Sequence, residues 1–139
     1  METNRKTSLA VSLVKTILTI SISLVWLING LFCKLLNFVP RHEDIVARIL
    51  GAEHVSLFTK AIGISEILMF VWIVSRIKSR WCAILQMIII ATMNTIEFLL
   101  APDLLLYGKA NSLVALFFIT VIFYNEFILG KKQLKTSGL

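Results

Sequence analysis

With 139 residues, 58% of them hydrophobic, a mean hydropathy of +0.86 and a net charge of +6, the chain is too apolar for a soluble domain, where apolar usage is roughly 45 to 50%. It has room for one membrane domain. The fourteen Lys and Arg residues are scattered between hydrophobic runs, a distribution that sets membrane topology and touches anionic lipid, and that argues against nucleic acid as a partner.

The chain begins METNRKTS, a polar tail ahead of an apolar run over residues 9–36. That run is far longer than the roughly 7 to 15 residues of a secretory signal and ends in no small-x-small cleavage triplet, so it reads as a first spanning helix. Ser12, Thr16, Thr19, Ser23 and Gly30 fall on one arc at helical spacing, a small-residue seam for close helix packing. At its far end the run turns polar: WLINGLFCK places Trp26, Asn29, Gly30, Cys33 and Lys34 where lipid alone gives no reason for them. Cys33 and Cys82 have neither paired spacing nor neighbouring histidines, so no metal site and no disulfide framework is expected.

Residues 37–60 are too polar to span. Pro40 starts and Gly51 ends a short helix with Ile45, Val46, Ile49 and Leu50 on one face and Arg41, Asp44 and Arg48 on the other, an amphipathic helix lying on the membrane surface in the first outer loop. His42 and His54 fall here and read as solvated loop histidines. Three further apolar runs, 57–75, 81–101 and 110–130, each approach the roughly 20 residues needed to cross hydrocarbon. The fold expected is an all-α integral membrane four-helix bundle forming a single domain over residues 1–139, with no internal repeat and no linker.

Charge orients it. Arg5, Lys6, Lys15, Arg76, Lys78, Arg80, Lys131, Lys132 and Lys135 lie on one side, nine basic residues against five on the other, Lys34, Arg41, Arg48, Lys60 and Lys109. The positive-inside rule puts the first side, with both termini, in the cytoplasm. Most intramembrane polar residues then gather in the outer half: Asn29 and Lys34 on the first helix, Glu66 on the second, Asn94 and Glu97 on the third, Asn111 at the start of the fourth. Asn125 and Glu126 form a smaller set at the inner end. An ionised carboxylate in hydrocarbon costs roughly 2.5 to 3.5 kcal/mol on insertion scales, so Glu66 and Glu97 should face the bundle interior and find partners. Lys34 is the nearest cation, free either to pair with one of them or to snorkel outward. Trp26, Asn29, Lys34, Glu66, Asn94, Glu97 and Asn111 are therefore the candidates for a polar pocket, and no catalytic residue is assigned. Packing by hydrogen bonds alone is the competing explanation.

The run SLVWLINGLFCKLLNFVPRHEDIV resembles the first helix and following loop of the DoxX-like family, whose members show a Trp, an Asn-Gly or similar pair and a Lys before a Pro-containing loop. GISE, from Gly63 to Glu66, is similar to that family's G-x-x-E on the second helix, and PDLL followed by Asn111 resembles its outer end of helices three and four. The resemblance implies a four-helix protein of the bacterial inner (plasma) membrane, associated in some members with redox partners such as thiosulfate:quinone oxidoreductase or oxidative-stress complexes. More distant relatives act as assembly chaperones. No spanning helix carries a histidine for haem and no dinucleotide fingerprint occurs, so no cofactor is built in and an electron carrier would have to come from a partner or a diffusing quinone. The first expectation is an accessory subunit of a redox-linked membrane complex, meeting lipid, redox-enzyme subunits or further copies of itself. A small-molecule or proton-coupled carrier and a membrane assembly partner are the alternatives, and a free-standing enzyme comes last.

Overall fold

The computed structural model describes residues 2–36, 38–105 and 110–136, and among them all regular structure is helical. Helix α1 runs Glu2–Leu35, α2 Arg41–Leu50, α3 Val55–Ser75, α4 Ser79–Leu100 and α5 Asn111–Lys135. A 3-10 turn, Pro102–Leu104, follows α4. Among the described residues α1, α3, α4 and α5 are long and apolar enough to cross a membrane, and the chain is an all-α integral membrane four-helix bundle with α2 as its short amphipathic helix. One end of the bundle carries α2; the opposite end carries the start of α1, the α3–α4 turn and the end of α5. Lys109, one of the basic residues weighed for orientation, lies outside the described residues.

The polar start of the chain is helical and not a loose tail. At 1.5 Å per residue, the 34 residues of α1 span roughly 50 Å against roughly 30 Å of hydrocarbon. The first turns, with Glu2, Arg5 and Lys6, therefore project beyond it, braced by a Lys6–Glu2 ion pair at 3.3 Å one turn apart. The face that α1 buries keeps Thr19, Ser23 and Gly30 of the seam read off the sequence and widens on the side of Lys15, Ile22 and Trp26, which are buried too. Thr16 is exposed and returns its hydroxyl to the Ser12 carbonyl of its own helix. Leu13, Ile17, Ile20 and Leu24 point outward, where the bilayer, not water, solvates them.

The closest helix contact is between α1 and α3. A Cβ built on Gly30 would stand 2.5 Å from the Gly63 carbonyl oxygen, and one on Gly63 would stand 2.7 Å from the Gly30 carbonyl oxygen. The two backbones touch, which only glycine on both sides permits. Below this contact Ile22, Trp26, Met69, Ile73, Cys82, Ala83 and Ile122 form the apolar core. Both thiols are free: Cys82 is buried beside Met69, and Cys33 is half-buried on α1.

Two stretches of the bundle are π-helical, Ile28–Leu35 in α1 and Tyr124–Leu129 in α5. Such wide turns re-aim side chains and loosen backbone hydrogen bonds, and they gather at functional sites. Here the first carries Asn29, Gly30, Cys33 and Lys34, and the second carries Asn125 and Glu126. At the α3–α4 turn, Arg76 and Lys78 adopt left-handed backbone at φ 62° and 47°, and the Trp72 indole N–H donates to the Ile77 carbonyl at 2.7 Å.

Candidate functional site

The π-helical end of α1 stops beside the middle of α3, and this level difference makes the site. The Gly30–Gly63 contact sets Lys34 against Gly63, one turn above Glu66. Lys34 donates to both Glu66 carboxylate oxygens at 2.9 Å, with the two residues only 7% and 8% exposed. Sequence alone left Lys34 free to snorkel; in the folded chain it turns inward, because α2 lies over the end of α1 and shuts off the route to water. A buried pair of this kind contributes modestly as a pair, since desolvation offsets much of the attraction, but removing one partner strands the other's charge.

Above the pair is a cavity of about 140 Å³ between α2, α3 and α4. Its walls are mainly apolar, from Ile45, Val46, Ile49 and Leu50 on α2, Ile62 on α3, and Met93 and Ile96 on α4; Lys34, His42 and Glu97 supply its polar groups. Leu50 and Ile96 are exposed, so the cavity reaches the bilayer-facing surface. α2 is fixed over it by its buried Ile45 and Val46. At its far end Arg48 pairs both carboxylate oxygens of Asp103, at 2.9 and 3.2 Å. This clamp is solvent-exposed on both sides and contributes geometry more than stability.

The histidine of α2 does not sit in solvent as the sequence suggested. His42 is half-buried and lines the cavity, and burial, with Lys34 and Arg41 nearby, pushes its pKa down from 6.5 to about 4. The unfolded chain thus takes up a proton near pH 6.5 that the folded chain refuses until about pH 4. The contribution is fully present above pH 6.5 and is lost progressively as pH falls through that window. Thermal melts of the detergent-solubilised protein should therefore lose stability from pH 6.5 towards pH 4, and His42→Gln should flatten that limb; equal slopes for both proteins would contradict it.

The seven residues singled out from sequence separate into groups. Lys34 and Glu66 form the ion pair, and Glu97 joins Lys34 on the cavity wall. Asn94 and Asn111 bond each other at 3.2 Å, tying α4 to the start of α5. The Trp26 indole N–H donates to Gln86 Oε1 at 2.9 Å in the middle of the bundle, away from the cavity. Asn29 is half-buried on the π-helical stretch and lines neither this cavity nor the second one.

A second polar cluster, richer than Asn125 and Glu126 alone, occupies the opposite end. Lys15 is 5% exposed; it reaches Glu126 Oε2 at 3.5 Å and the Asn125 carbonyl, in the π-helical turn, at 3.3 Å. Ser79 donates to Glu126 Oε1 at 2.7 Å, while Arg76 and the Asn125 amide both donate to Thr19 Oγ1, at 2.8 and 3.0 Å. Among the described residues no group of three or more His, Cys, Asp or Glu is placed to hold a metal ion.

The model of the DoxX-like family matches residues 23–123, most of the chain. The chain belongs to the DoxX-like family. The stretch matched to the DoxX-like family contains the Lys34–Glu66 pair, the whole of α2 and the cavity; Lys15, Asn125 and Glu126 lie outside it. No curated protein and no solved structure matches the chain significantly.

Proposed function

We propose that this DoxX-like protein is an accessory subunit of a redox-linked membrane complex, and that its cavity at the α2 end holds the head of a quinone-class amphiphile drawn from the bilayer. The observation that supports this is the cavity itself. Its volume of about 140 Å³ is close to the roughly 150 Å³ that accommodates a benzene ring in an engineered apolar cavity. Seven of its ten lining residues are apolar, as a ring requires, and its polar groups converge at one end, as an oxygen-bearing ring requires. Lys34 already gives its charge to Glu66, so it and neutral His42 are suited to an uncharged, hydrogen-bonding head more than to an anion. Glu97 accepts a hydrogen bond when ionised and donates one when protonated, which serves quinone and quinol alike. The redox chemistry of such a ring is the ligand's own; Lys34, His42 and Glu97 would position it.

In this reading the α2 end faces outward and both termini are cytoplasmic, following the excess of basic residues at the terminal end. In a bacterial inner membrane, a C-terminal alkaline phosphatase fusion should then be inactive; activity would reverse the orientation. A carrier needs a passage through the bundle, and the Trp26–Gln86 bond lies across it between the two polar ends. Copurification from native membrane, with mass spectrometry of both proteins and lipids, tests the subunit role. A redox enzyme and an isoprenoid quinone recovered together support it, and recovery of the chain alone, with phospholipid only, contradicts it.

A further inference from the structure

The second polar cluster encloses a cavity of its own. It measures about 30 Å³ and is bounded by Thr19, Arg76, Ser79, Gln86, Asn125 and Glu126, with Cys82 and Ala83 among its apolar walls. Asn125 is 6% exposed, yet its Oδ1 is buried without a hydrogen-bond partner among the described residues. An orphaned amide oxygen inside a bundle is destabilising unless something donates to it. Gln86 faces the same space with an amide nitrogen whose one bond there is a weak 3.5 Å contact to the Cys82 sulfur. Thr19 Oγ1 already accepts from both Arg76 and Asn125, so its own proton is free to point elsewhere.

We infer that this cavity is a binding site for ordered water, holding two molecules that donate to Asn125 Oδ1 and join Glu126 to Gln86. The volume fits: a water needs roughly 10 to 15 Å³ of such space and two to four polar partners. The charges choose between water and a metal cation. Lys15 and Arg76 already bring two positive charges against the single carboxylate of Glu126, and a third cation would meet net repulsion. Water also satisfies Asn125 whichever way its amide is turned, since it both donates and accepts. The site extends solvent contact from the basic end of the bundle to Gln86. There the Trp26–Gln86 bond ends it, short of the Lys34–Glu66 pair. The protein then has two separate compartments, the mainly apolar α2-end cavity opening to the bilayer and this hydrated one at the basic end.

The test uses the full chain in detergent micelles, labelled with nitrogen-15 at glutamine, so that only Gln86 and Gln133 carry labelled side-chain amides. The Gln86 side-chain amide should show a cross-peak to water, with Gln133 on the last turns of α5 as the reference. Ala83→Val fills the cavity with apolar atoms, and Asn125→Leu removes the orphaned oxygen; each should abolish the Gln86 cross-peak while helicity by circular dichroism is kept. A wild-type protein whose Gln86 amide shows no water contact, or variants of normal helicity that both keep it, would overturn the site.

Discussion

Glu66→Leu should lower the stability of the detergent-solubilised protein by roughly 3 to 5 kcal/mol, and the double variant Lys34→Met/Glu66→Leu should recover most of that loss. The single change leaves the Lys34 ammonium buried beneath α2 without the two carboxylate oxygens that now accept from it at 2.9 Å. With both charges gone, two apolar side chains of similar volume meet in the same space and no desolvation penalty is left unmatched. Glu66→Gln keeps one acceptor but not the charge, so it should fall between the wild type and the leucine variant. Thermal melts of all four proteins provide the comparison. A double variant no more stable than Glu66→Leu would show that the pair's role is not charge compensation.

Gly30→Ala should be nearly as damaging, although it adds a single methyl group. That methyl would stand 2.5 Å from the Gly63 carbonyl oxygen and 2.9 Å from Glu66 Cβ, contacts that no rotamer change relieves because the first is backbone. α1 and α3 must move apart, and overpacking of this kind costs typically about 1 to 3 kcal/mol. The displacement also pulls Lys34 from Glu66, one turn away, so the loss should couple to that of Glu66→Leu. In a double-mutant cycle the combined variant should lose clearly less than the two single losses added together. Strict additivity would mean that the glycine contact and the ion pair are independent.

Class and the number of spanning helices were legible in the chain because both rest on long-range averages, the apolar runs of roughly 20 residues. The partners of individual polar residues were legible only where helical periodicity was followed to the residue. His42 precedes Ile45, Val46 and Ile49 by three, four and seven positions, the spacing of one helix face, so its place in the cavity could have been read. Its immediate neighbours Arg41, Glu43 and Asp44 are charged and mask its place on the apolar face of Ile45, Val46 and Ile49. Lys15 likewise shares its buried face with Thr19, Ile22 and Trp26, a place that its charge near the end of an apolar run disguises as a topology signal. The choice Lys34 made of Glu66 over Glu97 was not in the sequence. It depends on α1 ending level with Gly63, which follows from the Gly30–Gly63 contact and the π-helical turn, both properties of the assembled bundle. The separation of Trp26 from the cavity has the same origin, since Gln86 of α4 reaches it across the core only once the bundle is assembled.

The most direct test of the account is photo-crosslinking with a short-chain benzoquinone carrying an azide on its ring, applied to the purified protein in lipid nanodiscs. Adducts should concentrate on peptides from α2 and the second half of α4, around Ile45, Ile49, Met93 and Ile96. An excess of unlabelled quinone should suppress them, and Met93→Trp, which fills the cavity, should remove them while the fold is kept. Labelling spread over the lipid-facing residues of all four spanning helices, unaffected by competitor and by Met93→Trp, would contradict the assignment of the cavity as a ligand site.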